Sequence, residues 1–152
     1  MMKAKLTAAA AAIATLACAA TGASAQVQAA NVKWGAAPPI FPKGAQMAVM
    51  AGDPGKSGLF VIRLKLPAGY KIPAHHHPTD ENVTVISGNF SLGMGDKIDA
   101  KKSATLTPGG FAVAMAGMNH FAFTKTGAVV EVAAEGPFGM TYVNPADDPT
   151  RH

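Results

Sequence analysis

The sequence predicts an all-β domain, and three features of the chain support that fold class. Short apolar runs alternate with turn residues from residue 46 onward, at intervals of about 8–12 residues, which is typical of β-sandwiches and small β-barrels. Residues 59–66 end in strict alternation of apolar and basic side chains, the period of a half-buried strand. After the first 25 residues, no stretch shows the 3.6-residue period of an amphipathic helix. The 152 residues suit one domain with one core.

The first 25 residues have the three-part layout of a secretion signal. A basic start with Lys3 and Lys5 precedes an Ala-rich apolar run over residues 6–20. Small residues at 23–25 then form a cleavage site before Gln26. The run is shorter than the roughly 20 residues that a transmembrane helix needs. We therefore predict a signal peptide over residues 1–25, its removal, and a periplasmic or secreted mature protein in a bacterial host.

Two alternatives apply to this segment. Instead of a cleaved signal peptide, it could be an Ala-rich helix of the folded domain. It could also be a lipoprotein signal, with Cys18 as the modified residue. Thr15 disfavours lipid attachment, because a large aliphatic residue usually stands three positions before the modified cysteine. Cys18 is the single cysteine, so the mature chain contains none, and thiol redox chemistry and disulfide stapling are excluded.

The charge of the mature chain argues against nucleic acid as a partner. Losing Lys3 and Lys5 lowers the formal net charge from +4 to +2, and the remaining chain has no long Lys/Arg cluster. We also expect the mature form not to bind a membrane.

The mature chain is predicted to contain three regions. Residues 26–45 form an extended N-terminal arm, because Pro38, Pro39 and Pro42 oppose regular structure there. Residues 144–152 form a polar C-terminal tail. The barrel occupies residues 46–143, with predicted strands over 46–50, 59–66, 70–77, 82–92, 104–106, 111–115, 119–124, 129–133 and 140–143.

Histidines are concentrated in one short segment of the barrel. His75, His76 and His77 are consecutive, and Glu81 follows four residues later. On a strand, residues two apart share a face, so His75 and His77 point together and His76 points away. A turn at residues 78–80 brings Glu81 back beside them, and two imidazoles with one carboxylate suit a divalent metal. The alternative is a solvated loop with three chance histidines.

The spacing of this segment resembles the first motif of the cupin family at every fixed position. Gly69 is followed after five residues by His75, and one residue then separates His75 from His77. Glu81 comes three residues further on, and Gly88 follows after six more. The resemblance covers about residues 46–134.

A second segment is similar to the second cupin motif. Gly109, Gly117 and His120 match the motif at the expected spacing. The chain departs from it at Met115, where the motif has proline, and at Thr124, where it has asparagine.

The resemblance implies a fold and a metal site. The fold is a cupin-type conical β-barrel, or double-stranded jelly roll, and the site holds one divalent metal through His75, His77, Glu81 and His120. The candidate metals are Fe(II), Mn(II), Ni(II), Co(II) and Zn(II). Zn(II) prefers four-coordination and a catalytic zinc keeps one position open, so Zn(II) would drop one of the four ligands. Glu81 is also the candidate catalytic residue, as a general base.

Strand alternation makes further predictions around His120. Met118 and Ala122 should face the metal side, and Phe121 and Phe123 the other side. The eight methionines raise a copper alternative, since thioethers suit Cu(I). Two of them leave with the signal peptide and no dense cluster remains, so packing is the favoured role of the rest.

The resemblance favours a metal-dependent enzyme, either a dioxygenase-type oxidoreductase or an isomerase or lyase, acting on a small oxygenated or aromatic molecule. The alternative is a non-catalytic cupin that binds a metal or small ligand as a sensor or storage module. Fold alone does not choose between them. Small cupins often pair through N-terminal strands, so residues 31–44 also suggest a homodimer.

Overall fold

The computed structural model of the protein describes residues 26–151. The predicted signal peptide, residues 1–25, lies outside the described residues. Within the described part, no helix is long and apolar enough to cross a membrane.

Eleven strands of the described residues form two antiparallel sheets, which confirms the all-β prediction. The strands are β1 (Gly35–Ala36), β2 (Gln46–Ala51), β3 (Gly58–Leu66), β4 (Lys71–His76), β5 (Glu81–Gly88), β6 (Phe90–Met94), β7 (Ser103–Leu106), β8 (Phe111–Ala114), β9 (His120–Phe123), β10 (Ala128–Gly136) and β11 (Thr141–Tyr142). The six-stranded sheet has the order β1-β2-β3-β10-β5-β8, and the five-stranded sheet has the order β11-β4-β9-β6-β7. Short 3-10 helices lie at Ala29–Asn31, Ala100–Lys102, Pro145–Asp147 and Pro149–Arg151.

The core lies between the two sheets and follows from alternation along the long strands. In β3, apolar side chains at every second position from Phe60 to Leu66 are buried. Arg63, at an intervening position, forms an ion pair with Glu131 of β10 on the outer face, with 2.9 Å between Nε and Oε2. The inward positions of β10 are also buried: Ala128, Val130, Val132 and Ala134. One face of each strand therefore builds the interior.

The prediction of a single strand over 82–92 is wrong, because the chain turns a corner at Gly88. This glycine has φ +74°, and a side chain there would overlap the carbonyl oxygen of Gly127. Only glycine adopts that conformation in so close a contact at low cost. The chain therefore leaves the six-stranded sheet after β5 and enters the five-stranded sheet with β6.

A β-bulge in β4 determines which histidines face the interior. Ile72 pairs with Ala122 and His75 pairs with His120, so β4 carries one more residue than β9 between the two pairs. Pro73 lies inside this irregularity. Because proline has no N–H to donate to a neighbouring strand, it occurs within sheets mainly at edges and bulges. Because of the extra residue, Ile72 and His75 both face inward although they are three positions apart.

The N-terminal arm packs across the barrel. Its strand β1 pairs with β2, and Phe41 and Ala45 are buried in the core. Two tyrosine hydroxyls hold the arm: that of Tyr70 donates to the Pro42 carbonyl, and that of Tyr142 donates to the Ile40 carbonyl at 2.7 Å.

Candidate metal centre

Three imidazoles meet at one end of the barrel. His75 and His77 come from the end of β4 and the residue after it, and His120 begins β9. All three are buried, with exposed fractions of 2%, 3% and 1%. One nitrogen from each of the three rings lies within 4.8 Å of the others, a separation that a single ion bridges. Pairing of β4 with β9 creates this proximity, because His75 is the direct partner of His120.

Each of these rings is oriented by a backbone carbonyl. A carbonyl oxygen only accepts, so the Nδ1 atom that faces it carries the hydrogen and the Nε2 lone pair is left for a metal. Two of these contacts reach back two residues along the chain, and the third joins distant segments. The Nδ1-to-oxygen distances are 2.6 Å from His75 to Pro73, 3.0 Å from His120 to Met118, and 2.6 Å from His77 to Gly139.

Burial disfavours the charged form of two of the imidazoles, those of His75 and His77. It lowers the pKa of His75 to about 3, with smaller contributions from the neighbouring His120 and His77. It also lowers the pKa of His77. The Nε2 atoms of His77 and His120 are buried without a hydrogen-bond partner. A buried polar atom without a partner is costly, so the donor set fits a cation at this point.

Glu81 completes the predicted set. It begins β5, and its Oε2 lies 3.6 Å from Nε2 of His77 and 3.7 Å from Nε2 of His120. Burial by itself would raise the pKa of the Glu81 carboxyl, but the imidazoles of His120 and His77 outweigh burial and lower it. With 13% of its side chain exposed, Glu81 is more accessible than His77 or His120.

The structure brings together all four residues predicted as ligands, and their role in binding a metal stays a prediction. His76 faces away from them. Its Nδ1 lies 3.2 Å from Oδ1 of Asn119, whose Nδ2 donates to Asp96 at 2.7 Å. The alternation predicted for the histidine run therefore agrees with the observed directions of the three side chains.

The barrel interior beside the site is nearly filled. The cavity there measures about 20 Å³, and its only polar lining residues are His75, Glu81 and His120. Its apolar wall consists of Phe41, Leu64, Ile72, Val83, Phe90, Leu92, Ala122, Val130, Val132 and Met140. Ala122 lies on this inner wall, as alternation predicts, whereas Met118 is 44% exposed and lies at the outer margin.

Some features of the site have no signal in the sequence. The carbonyl of Gly139, 62 residues from His77, is one example, because only the folded chain brings them together. Phe138 is another: its ring centroid lies 5.1 Å from that of His77 and 5.9 Å from that of Phe41. Residues 138–139 therefore form part of the wall that supports the imidazoles.

The two antiparallel sheets form a cupin-type double-stranded β-barrel, a fold shared by solved structures that are similar to this chain. The protein resembles an RmlC-like cupin from Shewanella frigidimarina, at TM-score 0.55 and 14% identity over 72% of this chain and 87% of the other. The chain belongs to the DUF4437 family, described as a domain of unknown function, whose sequence model matches residues 24–141. No curated protein matches the chain.

Several other solved structures share the fold. The polyketide cyclase RemF from Streptomyces resistomycificus superposes with TM-score 0.65 at 18% identity, over 85% of this chain and 94% of that protein. A proposed acetylacetone dioxygenase from Methylibium petroleiphilum PM1 superposes with TM-score 0.63 at 19% identity, over 98% of this chain and 90% of that protein. At these identities the likeness establishes the fold and leaves the reaction open.

Proposed function

We propose that the protein is a metal-dependent enzyme that converts a small oxygenated or aromatic molecule, in a dioxygenase-type, isomerase-type or lyase-type reaction. The observation that carries this proposal is the convergence of three buried imidazoles whose Nδ1 atoms all face backbone carbonyls. This arrangement leaves the Nε2 atoms directed to a common point, and two of them have no other partner. A packed core has no need of such an arrangement.

The residues that would hold the metal are His75, His77, Glu81 and His120. Fe(II), Mn(II), Co(II) and Ni(II) accept imidazole and carboxylate together, and Zn(II) suits a subset of these ligands. When bound, a divalent metal supplies Lewis acidity to substrate oxygens and, if it is iron, a place for O₂. The chain itself supplies three imidazoles oriented by backbone carbonyls and one carboxylate.

Glu81 is the proposed catalytic residue. Its lowered pKa keeps it a carboxylate at neutral pH, able to accept a proton at Oε2. It is partly exposed, whereas the imidazoles are buried, so a substrate approaching from solvent reaches its side of the cluster first. Relatives of similar fold include enzymes that act on polyketides and, as proposed, on acetylacetone, which supports a small oxygenated substrate here.

A non-catalytic module that binds a metal or a small ligand is the second candidate. The observation that favours it is the cavity of about 20 Å³ beside the imidazoles. Ligand pockets commonly measure about 300–1,000 Å³, so the interior has space for little more than the metal and one small group.

Turnover by the metal-loaded protein distinguishes the two candidates. Protein of residues 26–152 is loaded in turn with Fe(II), Mn(II) and Ni(II) and mixed with a panel of enolic, phenolic and keto compounds, with and without O₂. We expect consumption of at least one compound, seen by oxygen uptake or mass spectrometry, and none with His77→Ala. If all three metals bind and every compound stays unchanged, the binding module becomes the better proposal.

We also propose that the mature protein is periplasmic or secreted and begins at Gln26. Small residues at 23–25 after the apolar run support cleavage there. The intact mass of protein exported by a bacterial host tests this, and we expect the mass of residues 26–152. A mature product that retains Met1, or that carries lipid on Cys18, would contradict the proposal.

A further inference from the structure

Two exposed methionines flank His120 at the margin of the site. Met94 is the partner of His120 in the pairing of β6 with β9, so both side chains leave the sheet on one face. Met118 lies two residues before His120, and its carbonyl accepts the hydrogen of the His120 Nδ1. Met94 is 38% exposed and Met118 44%, beside an imidazole that is almost fully buried. We call Met94 and Met118 the methionine rim.

One further carboxylate contacts the turn that precedes Met118. Asp80 accepts a hydrogen bond from the backbone N–H of Ala116 at 2.7 Å, next to Glu81 in sequence. Within residues 26–151, neither Asp80 nor Glu81 forms an ion pair with a lysine or arginine. An anionic substituent would therefore meet the like charges of these two carboxylates, which disfavours its binding.

The interior offers no polar partner to a bound molecule beyond the proposed metal ligands. Every other side chain on the cavity wall is apolar. A molecule with several hydroxyl groups would lose their hydrogen bonds to water without replacing them, which is costly. The space of about 20 Å³ also leaves most of any substrate outside the barrel, at the margin.

From these observations we infer that the site selects a molecule that chelates through two oxygens and packs an uncharged, apolar substituent on Met94 and Met118. This inference rests on the proposed function, because it takes the metal as the point of attachment. The two thioethers act as specificity-determining groups, since methionine is flexible and polarizable and fits apolar groups of varied shape. Sugars and dicarboxylates are disfavoured by the apolar wall and by the carboxylates.

A series of hydroxamic acids on Co(II)-loaded protein tests the inference without requiring turnover. Co(II) uptake is measured first, and the visible spectrum of the bound Co(II) then reports the Kd of acetohydroxamic, butanohydroxamic and hexanohydroxamic acids. Affinity should rise about fourfold for each methylene that packs on the rim, which is the value of one buried CH₂. Adipic acid monohydroxamate, which replaces the terminal methyl of the six-carbon chain by a carboxylate, should bind at least about tenfold more weakly than hexanohydroxamic acid.

Substitutions then assign the effect to particular side chains. Met94→Ala combined with Met118→Ala should flatten the dependence on chain length and leave the Kd of acetohydroxamic acid within about threefold. Met115→Ala is the matched control, because Met115 is a similarly exposed methionine, at 55%, that follows the end of β8 and is not part of the methionine rim. This control should keep the full dependence.

The outcomes separate the inference from the proposed function. Protein that takes up Co(II) but binds all the hydroxamic acids equally, or prefers the carboxylate-bearing one, overturns the inference and leaves the metal site standing. An unchanged chain-length dependence in the double variant also overturns it. Failure of the wild-type protein to take up Co(II) overturns the inference and the proposed metal site together.

Discussion

The two stretches of chain that supply the site differ in how much of the cupin pattern they keep. Residues 69–88 match the first motif at every fixed position, whereas residues 109–124 depart from the second at Met115 and Thr124. Yet His120, from the second stretch, is as deeply buried as His75 and His77 from the first. Strand pairing explains this, because β9 lies between β4 and β6 and is held on both edges. The comparison teaches that strand pairing can hold a candidate ligand such as His120 in place where the surrounding residues depart from the motif.

Removing one imidazole from each stretch tests most sharply whether the two stretches contribute equally to metal binding. We expect His77→Ala and His120→Ala each to lower metal affinity by at least about 100-fold, the upper end of what loss of an outer-shell partner costs. Elemental analysis, together with competition against a chelator of known affinity, measures the loss, and the wild type should hold about one metal per chain. If His120→Ala binds metal as well as the wild type, the second stretch contributes no ligand.

Glu81 distinguishes binding from chemistry within the first stretch. Glu81→Gln keeps the shape of the side chain and removes its ability to accept a proton, while the three imidazoles remain. We expect most of the metal to be retained and turnover of a responsive compound to fall by about 100-fold or more, the range of general-base catalysis. Metal content and rate are measured on the same preparation. A variant that loses both together would make Glu81 essential for binding the metal.

Thr124 tests how the second stretch tolerates its departure from the motif. Its side chain is buried, and Oγ1 accepts a hydrogen bond from the backbone N–H of Gly127 at 3.0 Å. Thr124→Val keeps the shape but leaves that N–H unpaired, so unfolding in urea should show a loss of about 1–2 kcal/mol. Thr124→Ser, which keeps the hydroxyl, is the matched control and should lose less. Equal stability of Thr124→Val and wild type would mean that the hydroxyl contributes nothing to this turn.

The smallest effect is expected at the centre of the histidine run. His76 faces away from the cluster and contacts Asn119, so His76→Ala should change metal affinity by less than about twofold, well below the effect of losing a ligand partner. The same competition assay measures it. Should His76→Ala lose the metal while His75→Ala keeps it, the pairing of β4 would be shifted by one residue.

The fold class could be predicted from the sequence because strand alternation and turn residues are local signals. The four residues that converge could be predicted as a set through the resemblance to the two cupin motifs, since His120 is remote from the other three along the chain. Two features were not accessible in that way. The corner at Gly88 depends on contact with Gly127, which is remote in sequence. The orientation of His77 depends on the carbonyl of Gly139, in a segment that precedes the short strand β11. Both are tertiary contacts, and no periodicity along the chain records them.

The bulge in β4 has a consequence for how the site is assembled. Had β4 paired with β9 without its extra residue, the strand would be one residue out of phase, with His76 alone turned inward and its two neighbours outward. In the observed pairing, two imidazoles next to or in β4 face the site, whereas the shifted pairing would turn only one inward. A metal ion present while the chain folds would bind the observed pairing far more tightly and stabilise it by mass action. A metal bound at the proposed site would therefore also favour the strand pairing that creates the site.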